Sequence, residues 1–331
     1  MCSTTNCTGK ITCFGELLVD FFADPPGVSL EEATSFIPIP GGAPANVAVG
    51  VARLGRKSAF MGKVGADAFG RKLARVLRAN GVDVRGLRFD SQVRTTCAFI
   101  AQEFLFFRNP GADLNFCPED VDTDLVTETA IFHCGSLSLT GEPIRSTIHS
   151  ILPVLRGRGI FLSFDANYRP SLWEGEKEAY RRIWEVIPGV DLLKVNEREL
   201  LLLTGTDDPE KGIPVFLAEG TRNVVVTMGR EGAFFGNELG QGFVPGFAVE
   251  TVDATGCGDS FVAGILSEFS GSPVIPPDTF EHLLRFANAC GAITATRRGV
   301  IPALPWRREV ESFLETWERS ERDESNRKTC F

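Results

Sequence analysis

The strongest constraint on this chain is a rhythm. Across residues 130–195 short apolar runs alternate with longer stretches of helical period: a strand at 130–134, a helix at 142–156, a strand at 160–165, a helix at 175–187 and a strand at 192–195. Apolar strands separated by helices pack as a parallel sheet, because each crossover must return the chain to the same end of the sheet. The pattern continues through a helix at 197–203, a strand at 223–228, a hairpin pairing 233–236 with 242–245, and helices at 279–295 and 306–319. Earlier, 10–20 is one apolar run ending in Asp20 and reads as a buried central strand. A buried helix at 47–54, a strand at 58–64, a helix at 68–80 stopped by Gly81 and strands within 94–107 follow. No linker interrupts the 331 residues, so 10–319 reads as a single α/β domain and the polar tail from Ser320 as frayed.

Composition removes several function classes. A formal charge of −9 argues against a nucleic-acid or anionic-membrane partner, since either needs clustered Lys and Arg. Nine cysteines without a C-x-x-C pair, and only three histidines, leave no zinc spacing and point to reduced thiols in a cytoplasmic compartment, with a plastid left open. No apolar run reaches membrane-span length, and residues 1–10 lack the apolar core of a signal peptide. Asn6-Cys7-Thr8 therefore reads as a chance match to the glycosylation pattern.

Chemistry concentrates in the turn Val252-Asp253-Ala254-Thr255-Gly256-Cys257-Gly258-Asp259-Ser260. Residues 246–252 alternate as a strand should, and Phe261, Val262, Ile265, Leu266 and Phe269 recur at helical spacing, so the turn joins a strand to a helix. Gly256 and Gly258 let successive amides face outward at a helix N-terminus, which carries roughly +0.5 of a charge and suits an anion. Asp259 repels phosphate but can take a proton from a hydroxyl beside it; it can equally cap the helix, and these residues alone weight the two readings alike. Open parallel sheets bind ligands at the carboxyl ends of their strands, where Asp20, Gly41-Gly42, Asp165, Asn196, Gly229 and the 253–259 turn all fall. Neither G-x-x-x-x-G-K-[ST] nor a strand-to-helix G-x-G-x-x-G occurs, so any phosphate site is built another way.

Two stretches then carry a resemblance. Gly41-Gly42-Ala43-Pro44-Ala45-Asn46-Val47-Ala48 and Asp253 to Phe261 resemble the two signatures of the ribokinase (pfkB) family of carbohydrate kinases. Phe107 to Asp113, Asp165 to Arg169 and Phe286 to Thr294 look most like plant-type fructokinases. The resemblance implies a three-layer α/β/α fold with a mainly parallel sheet and a small β lid, here about 21–38 and 94–107. It implies ATP-dependent phosphorylation of a sugar hydroxyl, most simply fructose O6, with Asp259 as base and the amides of Gly256, Cys257 and Gly258 as anion hole. Asp20, Gly41, Gly42, Asn46, Arg108 and Arg169 would hold the sugar. Asn196 and Glu199 would position Mg²⁺ through water, with Thr227, Gly229, Gly232 and Asn288 on the nucleotide side. Asp253, Thr255, Ala295, Arg298 and Gly299 would surround a monovalent cation, potassium, and the lid would make a homodimer.

Each assignment has a structural competitor. Asn46 can cap its helix, Asn196 and Glu199 match a capping box, and the glycines near 229–232 suit a hairpin. Cys257 places a thiol at a helix N-terminus, where its pKa can fall. One departure is large: Ala101-Gln102 replaces a longer Asp-Gly turn between the lid strands, so the hairpin must consume flanking residues or stay open. A lid damaged in this way speaks for the alternative of a fructokinase-like protein that keeps the fold and has lost turnover, while the retained Asp259, both glycines of the turn and Asp20 speak against it. The same chemistry with a different pocket would serve a sugar acid or nucleoside.

Overall fold

A computed structural model describes residues 9–328, with side chains described to 320. Asn6-Cys7-Thr8 lies outside this range. Among the described residues thirteen strands form two sheets: β1 Lys10–Phe14, β2 Leu18–Asp24, β3 Ser35–Gly41, β4 Ser58–Gly65, β5 Asp83–Asp90, β6 Cys97–Ile100, β7 Phe104–Phe107, β8 Thr129–Gly135, β9 Phe161–Asp165, β10 Leu192–Asn196, β11 Asn223–Thr227, β12 Gly232–Asn237 and β13 Gly240–Pro245. The helices are α1 Ala43–Arg53, α2 Ala68–Ala79, α3 Thr123–Glu128, α4 Ile144–Gly157, α5 Glu176–Trp184, α6 Glu197–Thr204, α7 Pro209–Ala218, α8 Cys257–Glu268, α9 Pro277–Ala295 and α10 Arg307–Lys328.

The large sheet runs β13-β12-β11-β10-β9-β8-β1-β4-β5, parallel except where the β12–β13 hairpin adds to β11. Its strands alternate sides. In β4, Phe60 enters a core with α1, α2, α8, α9 and α10, whereas Ala59 and Met61 enter a second core with α4, α5, α6 and α7. Apolar side chains on both pleat faces are why these strands read as continuous apolar runs. Strand order reverses at β1, flanked by β4 and β8, which makes the carboxyl ends of β1 and β8 the switch point at which open α/β sheets bind ligands.

Residues 10–20 do not make one strand. The chain leaves the large sheet at Gly15, whose φ of 144° suits glycine, and re-enters as β2 of a second sheet ordered β3-β2-β6-β7. Asp20 therefore sits in the lid sheet rather than at the end of a central strand; hydropathy is blind to the break because residues 11–20 are buried throughout, in both sheets. Residues 246–252 form no strand; the segment is held by Phe247, buried against Phe313 and Trp317, and by bonds such as the Val252 amide donating to the Ala295 carbonyl at 2.8 Å. Strand β5 escaped notice because its charged residues blur the alternation of an edge strand. Helix α10 continues to Lys328 instead of fraying at Ser320, in keeping with the high helix propensity of its Glu, Arg and Lys.

The lid hairpin is closed. Ile100 pairs with Phe104, so Ala101, Gln102 and Glu103 form a three-residue loop, and Glu103 is the flanking residue consumed. The Gln102 amide donates to the Val28 carbonyl at 3.1 Å, its Nε2 donates to the Gly27 carbonyl at 2.8 Å, and Glu103 Oε1 accepts the Leu30 amide at 3.1 Å. The neighbouring β2–β3 loop thus supplies what an Asp-Gly turn would supply internally. Behind it Phe99 stacks on Phe21 at 4.9 Å and meets Phe36 and Phe107 edge-on at 5.1 and 5.2 Å. Such pairs add about 0.5–1.5 kcal/mol each beyond burial.

Candidate active site

Three elements meet around Asp259. Helix α8 starts at Gly256, whose φ of 80° is left-handed and where a Cβ would overlap Val300, so glycine is required twice over. No side chain caps α8, which leaves the amide end of the turn open to an anion. Asp259 stands in the first turn but makes no capping bond; its Oδ2 accepts from Asn46 Nδ2 at 2.8 Å. Asn46 likewise does not cap α1, since it lies one turn inside that helix and its side chain reaches across to α8. Both capping readings fail on the same bond.

Asp20 comes from β2, 8% exposed, and a Cβ on Gly41 would overlap its Oδ2, which explains the glycine there. Gly42 has φ 105° and lies against the Glu16 carbonyl. Burial pushes Asp20 up to about 7, with Asp259 raising it further and Arg169 opposing. Burial likewise lifts Asp259 to about 6, against the Asn46 hydrogen bond, with Asp165 adding and Arg169 and Lys194 subtracting. A buried carboxyl that titrates just below neutrality and sits beside an uncapped helix start has the properties of a general base.

Lys194 and Asp165 were not foreseen as a pair. Lys194 Nζ lies 3.2 Å from both Asp165 oxygens, and 3.4 Å from where a Cβ on Gly258 would stand. Burial alone would lower the Lys194 pKa, but Asp165 and Glu199 outweigh it and the ammonium persists. Asn167, in the left-handed region at φ 33°, turns the chain after Asp165 toward Arg169. Glu16, Ser136 and Ser138 also went unnoticed. Each holds a buried oxygen without a hydrogen-bond partner where β1 and β8 end, and the only sequence signal is polarity just past an apolar strand.

Other candidates have mainly structural bonds. Arg108 is 5% exposed and its guanidinium is committed: Asp113 Oδ2 is 2.7 Å from Nε and 2.6 Å from Nη2, Thr140 Oγ1 accepts at 2.6 Å and the Leu137 carbonyl at 3.0 Å. Its bonds tie the segment after β7 to Asp113, Leu137 and Thr140. Asn196 and Glu199 form a reciprocal capping box, and Glu199 Oε1 also accepts the Tyr168 amide at 2.7 Å, so this buried carboxylate has each oxygen bonded. Among the described residues no group of three or more His, Cys, Asp or Glu could hold a metal ion. Asn288 Nδ2 donates to the carbonyls of Val244 and Pro245 at 3.2 and 3.1 Å. Gly232, at φ 128°, has no room for a Cβ beside the Val244 carbonyl, while Gly229, at φ 55°, and Thr227 flank the β11 end.

The five residues assigned to a monovalent cation come together. Asp253 Oδ1 accepts the Thr255 amide at 2.9 Å and Oδ2 the Gly299 amide at 3.0 Å; the Ala295 carbonyl takes the Val252 and Asp253 amides. Arg298 Nη2 reaches the Ala23 carbonyl of the lid at 3.4 Å. The Cys257 thiol is pushed up to about 12 by burial and by Asp253 and Asp259, the reverse of the lowering expected from a helix N-terminus. Burial, with two carboxylates adding to it, outweighs the end of a helix dipole.

With a buried carboxyl at an uncapped helix start, and Asp20 of the second sheet near it, comparison with known proteins decides the assignment. Residues 8–307 match the pfkB family carbohydrate kinase profile. The chain belongs to the pfkB family of carbohydrate kinases. It is 42% identical to fructokinase-1 of Oryza sativa subsp. japonica, over 92% of this chain and 98% of that protein. Fructokinase-2 of Solanum lycopersicum is also 42% identical, over 93% of this chain and 96% of its own length. The crystal structure of a Vibrio cholerae O395 fructokinase double mutant, bound to fructose, ADP and potassium ion, superposes with a TM-score of 0.85 at 32% identity, covering 93% of this chain and 98% of that one. As a pfkB carbohydrate kinase the chain has the ribokinase-like fold, and its second sheet is the lid.

Proposed function

We propose that this pfkB kinase transfers the γ-phosphoryl group of ATP to D-fructose, giving fructose 6-phosphate, with Asp259 as the base. The observation that carries the reading is the Asp259 carboxyl, held by Asn46 at 2.8 Å beside the uncapped start of α8. Fructokinase relatives at 42% identity support fructose over other sugars.

Asp20, the Gly41-Gly42 backbone and Asn46 orient the sugar, and Arg169 adds positive charge. The amides of Gly256, Cys257 and Gly258 face the charge that develops on the transferring group. Phosphoryl transfer has a loose transition state, so positioning and charge stabilisation do most of the work and Asp259 accepts the hydroxyl proton late. Lid closure over the crevice keeps water from competing as acceptor. Mg²⁺, held by nucleotide phosphates near Asn196 and Glu199, would neutralise phosphate charge. Asp253, Thr255, Ala295, Arg298 and Gly299 would hold K⁺ and so steady the turn. Thr227, Gly229, Gly232 and Asn288 would shape the nucleotide side.

The edge strand β7 leaves Phe104, Leu105 and Phe107 exposed, which supports a homodimer through the lid, testable by sedimentation. The charge of −9 supports neither nucleic acid nor membrane as partner, and no described helix is long and apolar enough to cross a membrane. Free thiols at all six described cysteines support work in a reducing, cytoplasmic compartment. Coupled detection of ADP with fructose, glucose, ketodeoxygluconate and adenosine tests the assignment. Fructose should give the highest kcat/KM; no turnover with any of the four would favour the scaffold alternative.

A further inference from the structure

Glu16 lies in the connection between β1 and β2, four positions before Asp20, and is 2% exposed. Its Oε1 accepts the amide N–H of Ala43, the first residue of α1, at 3.0 Å. Helix α1 has Gly42 at its N-cap and no capping side chain there, so this amide depends on Glu16 for its partner. We propose that Glu16 is a positioning residue for phosphoryl transfer: it holds the start of α1 against the β1–β2 connection and so sets the separation of Asp20 on β2 from Asn46 on α1. The inference rests on the sugar-kinase reading.

Two further observations support it. Backbone contact at the same place is tight, because a Cβ on Gly42 would lie 2.5 Å from the Glu16 carbonyl oxygen, leaving little slack if the side-chain bond is lost. Arg108, the cation whose charge acts on Glu16, is bonded to Asp113, Thr140 and Leu137, so Glu16 is not held as half of an ion pair. What the site uses is an acceptor oxygen at a given reach, and burial pushes the carboxyl up to about 7 against the pull of Arg108. From Ala43 the linkage passes three residues along α1 to Asn46, and from there at 2.8 Å to Asp259. A shift at the start of α1 therefore misplaces both a sugar contact and the base.

The test compares length with charge in the full chain. Glu16→Gln keeps an acceptor oxygen at the same reach and removes the acid. Glu16→Asp keeps the acid and withdraws it by about 1.5 Å. Ala43→Pro keeps the Glu16 side chain but deletes the donor, its ring displacing the carboxylate from the bond, at a first-turn position that tolerates proline. Glu16→Gln should stay within about twofold of wild type in fructose KM and kcat, whereas Glu16→Asp and Ala43→Pro should each raise fructose KM at least about tenfold and lower kcat, with ATP KM within about twofold. If Glu16→Gln loses as much as Glu16→Asp, charge rather than reach is what matters and the proposal is overturned. It is equally overturned if Glu16→Asp or Ala43→Pro lowers Tm but leaves fructose KM unchanged. Should either of those fail to fold, the other and Glu16→Gln still decide. Wild-type turnover with fructose is measured first: its absence sinks the sugar assignment, while an active wild type matched by all variants sinks only this inference.

Discussion

Replacing Asp259 by Asn should make the protein more stable and nearly inactive, and the two effects should separate with pH. The carboxyl is raised from an ordinary 3.8 to about 6, chiefly by burial. At 1.36 kcal/mol per pH unit, that rise corresponds to about 3 kcal/mol of destabilisation by the ionised form. Below about pH 4 the group is protonated in both the folded and the unfolded chain and contributes nothing. As pH rises from about 4 to about 6, the unfolded chain loses its proton while the folded one keeps its own, so wild-type stability falls, and above about 6 the penalty is complete. The neutral amide of Asp259→Asn escapes the penalty and keeps an oxygen for Asn46 Nδ2. The variant should therefore match wild type in Tm near pH 4 and exceed it near pH 8. Asp20, raised partly by Asp259, adds to the same gain. Turnover should fall by about 10²–10⁴, the usual worth of a general base, and the wild-type kcat/KM should decline on the acid side near the Asp259 pKa of about 6. Differential scanning calorimetry at the two pH values and ADP-coupled kinetics with fructose provide the readouts. Turnover above about a tenth of wild type would return Asp259 to a structural role. A Tm difference independent of pH would refute the burial argument.

Asp20→Ala should raise fructose KM and lower kcat together, since the sugar loses an acceptor and can rotate away from attack; normal sugar kinetics with only a lowered Tm would make Asp20 structural. Potassium should activate relative to choline, through the Asp253 links to Thr255 and Gly299 that hold the turn, and equal rates in the two buffers would dismiss the site. Lengthening the lid turn with Asp-Gly between Ala101 and Glu103 should change kcat/KM by less than about twofold, because the loop is already closed and braced by Val28, Gly27 and Leu30. A large gain would mean that the short turn does impair closure.

What the sequence determined by itself was whatever depends on local period and on small-residue turns. The βα rhythm required a mainly parallel sheet covered on both faces, and the glycines at 41–42 and 256–258 marked where backbone must bend or be approached closely. Tertiary structure alone decided which partners those turns acquire. Period cannot reveal that the apolar run at 10–20 divides between two sheets, because burial is equally complete in each. Nor can a motif separate a capping Asn or Asp from a pair bonded across the fold, since the bond from Asn46 to Asp259 spans 213 positions. Nor does the sequence show that Arg108 is bonded to Asp113 and Thr140, or that burial, with two carboxylates adding to it, raises the Cys257 thiol. Charge acts through space at distances unrelated to chain separation, so pKa and ligand roles belong to the folded molecule.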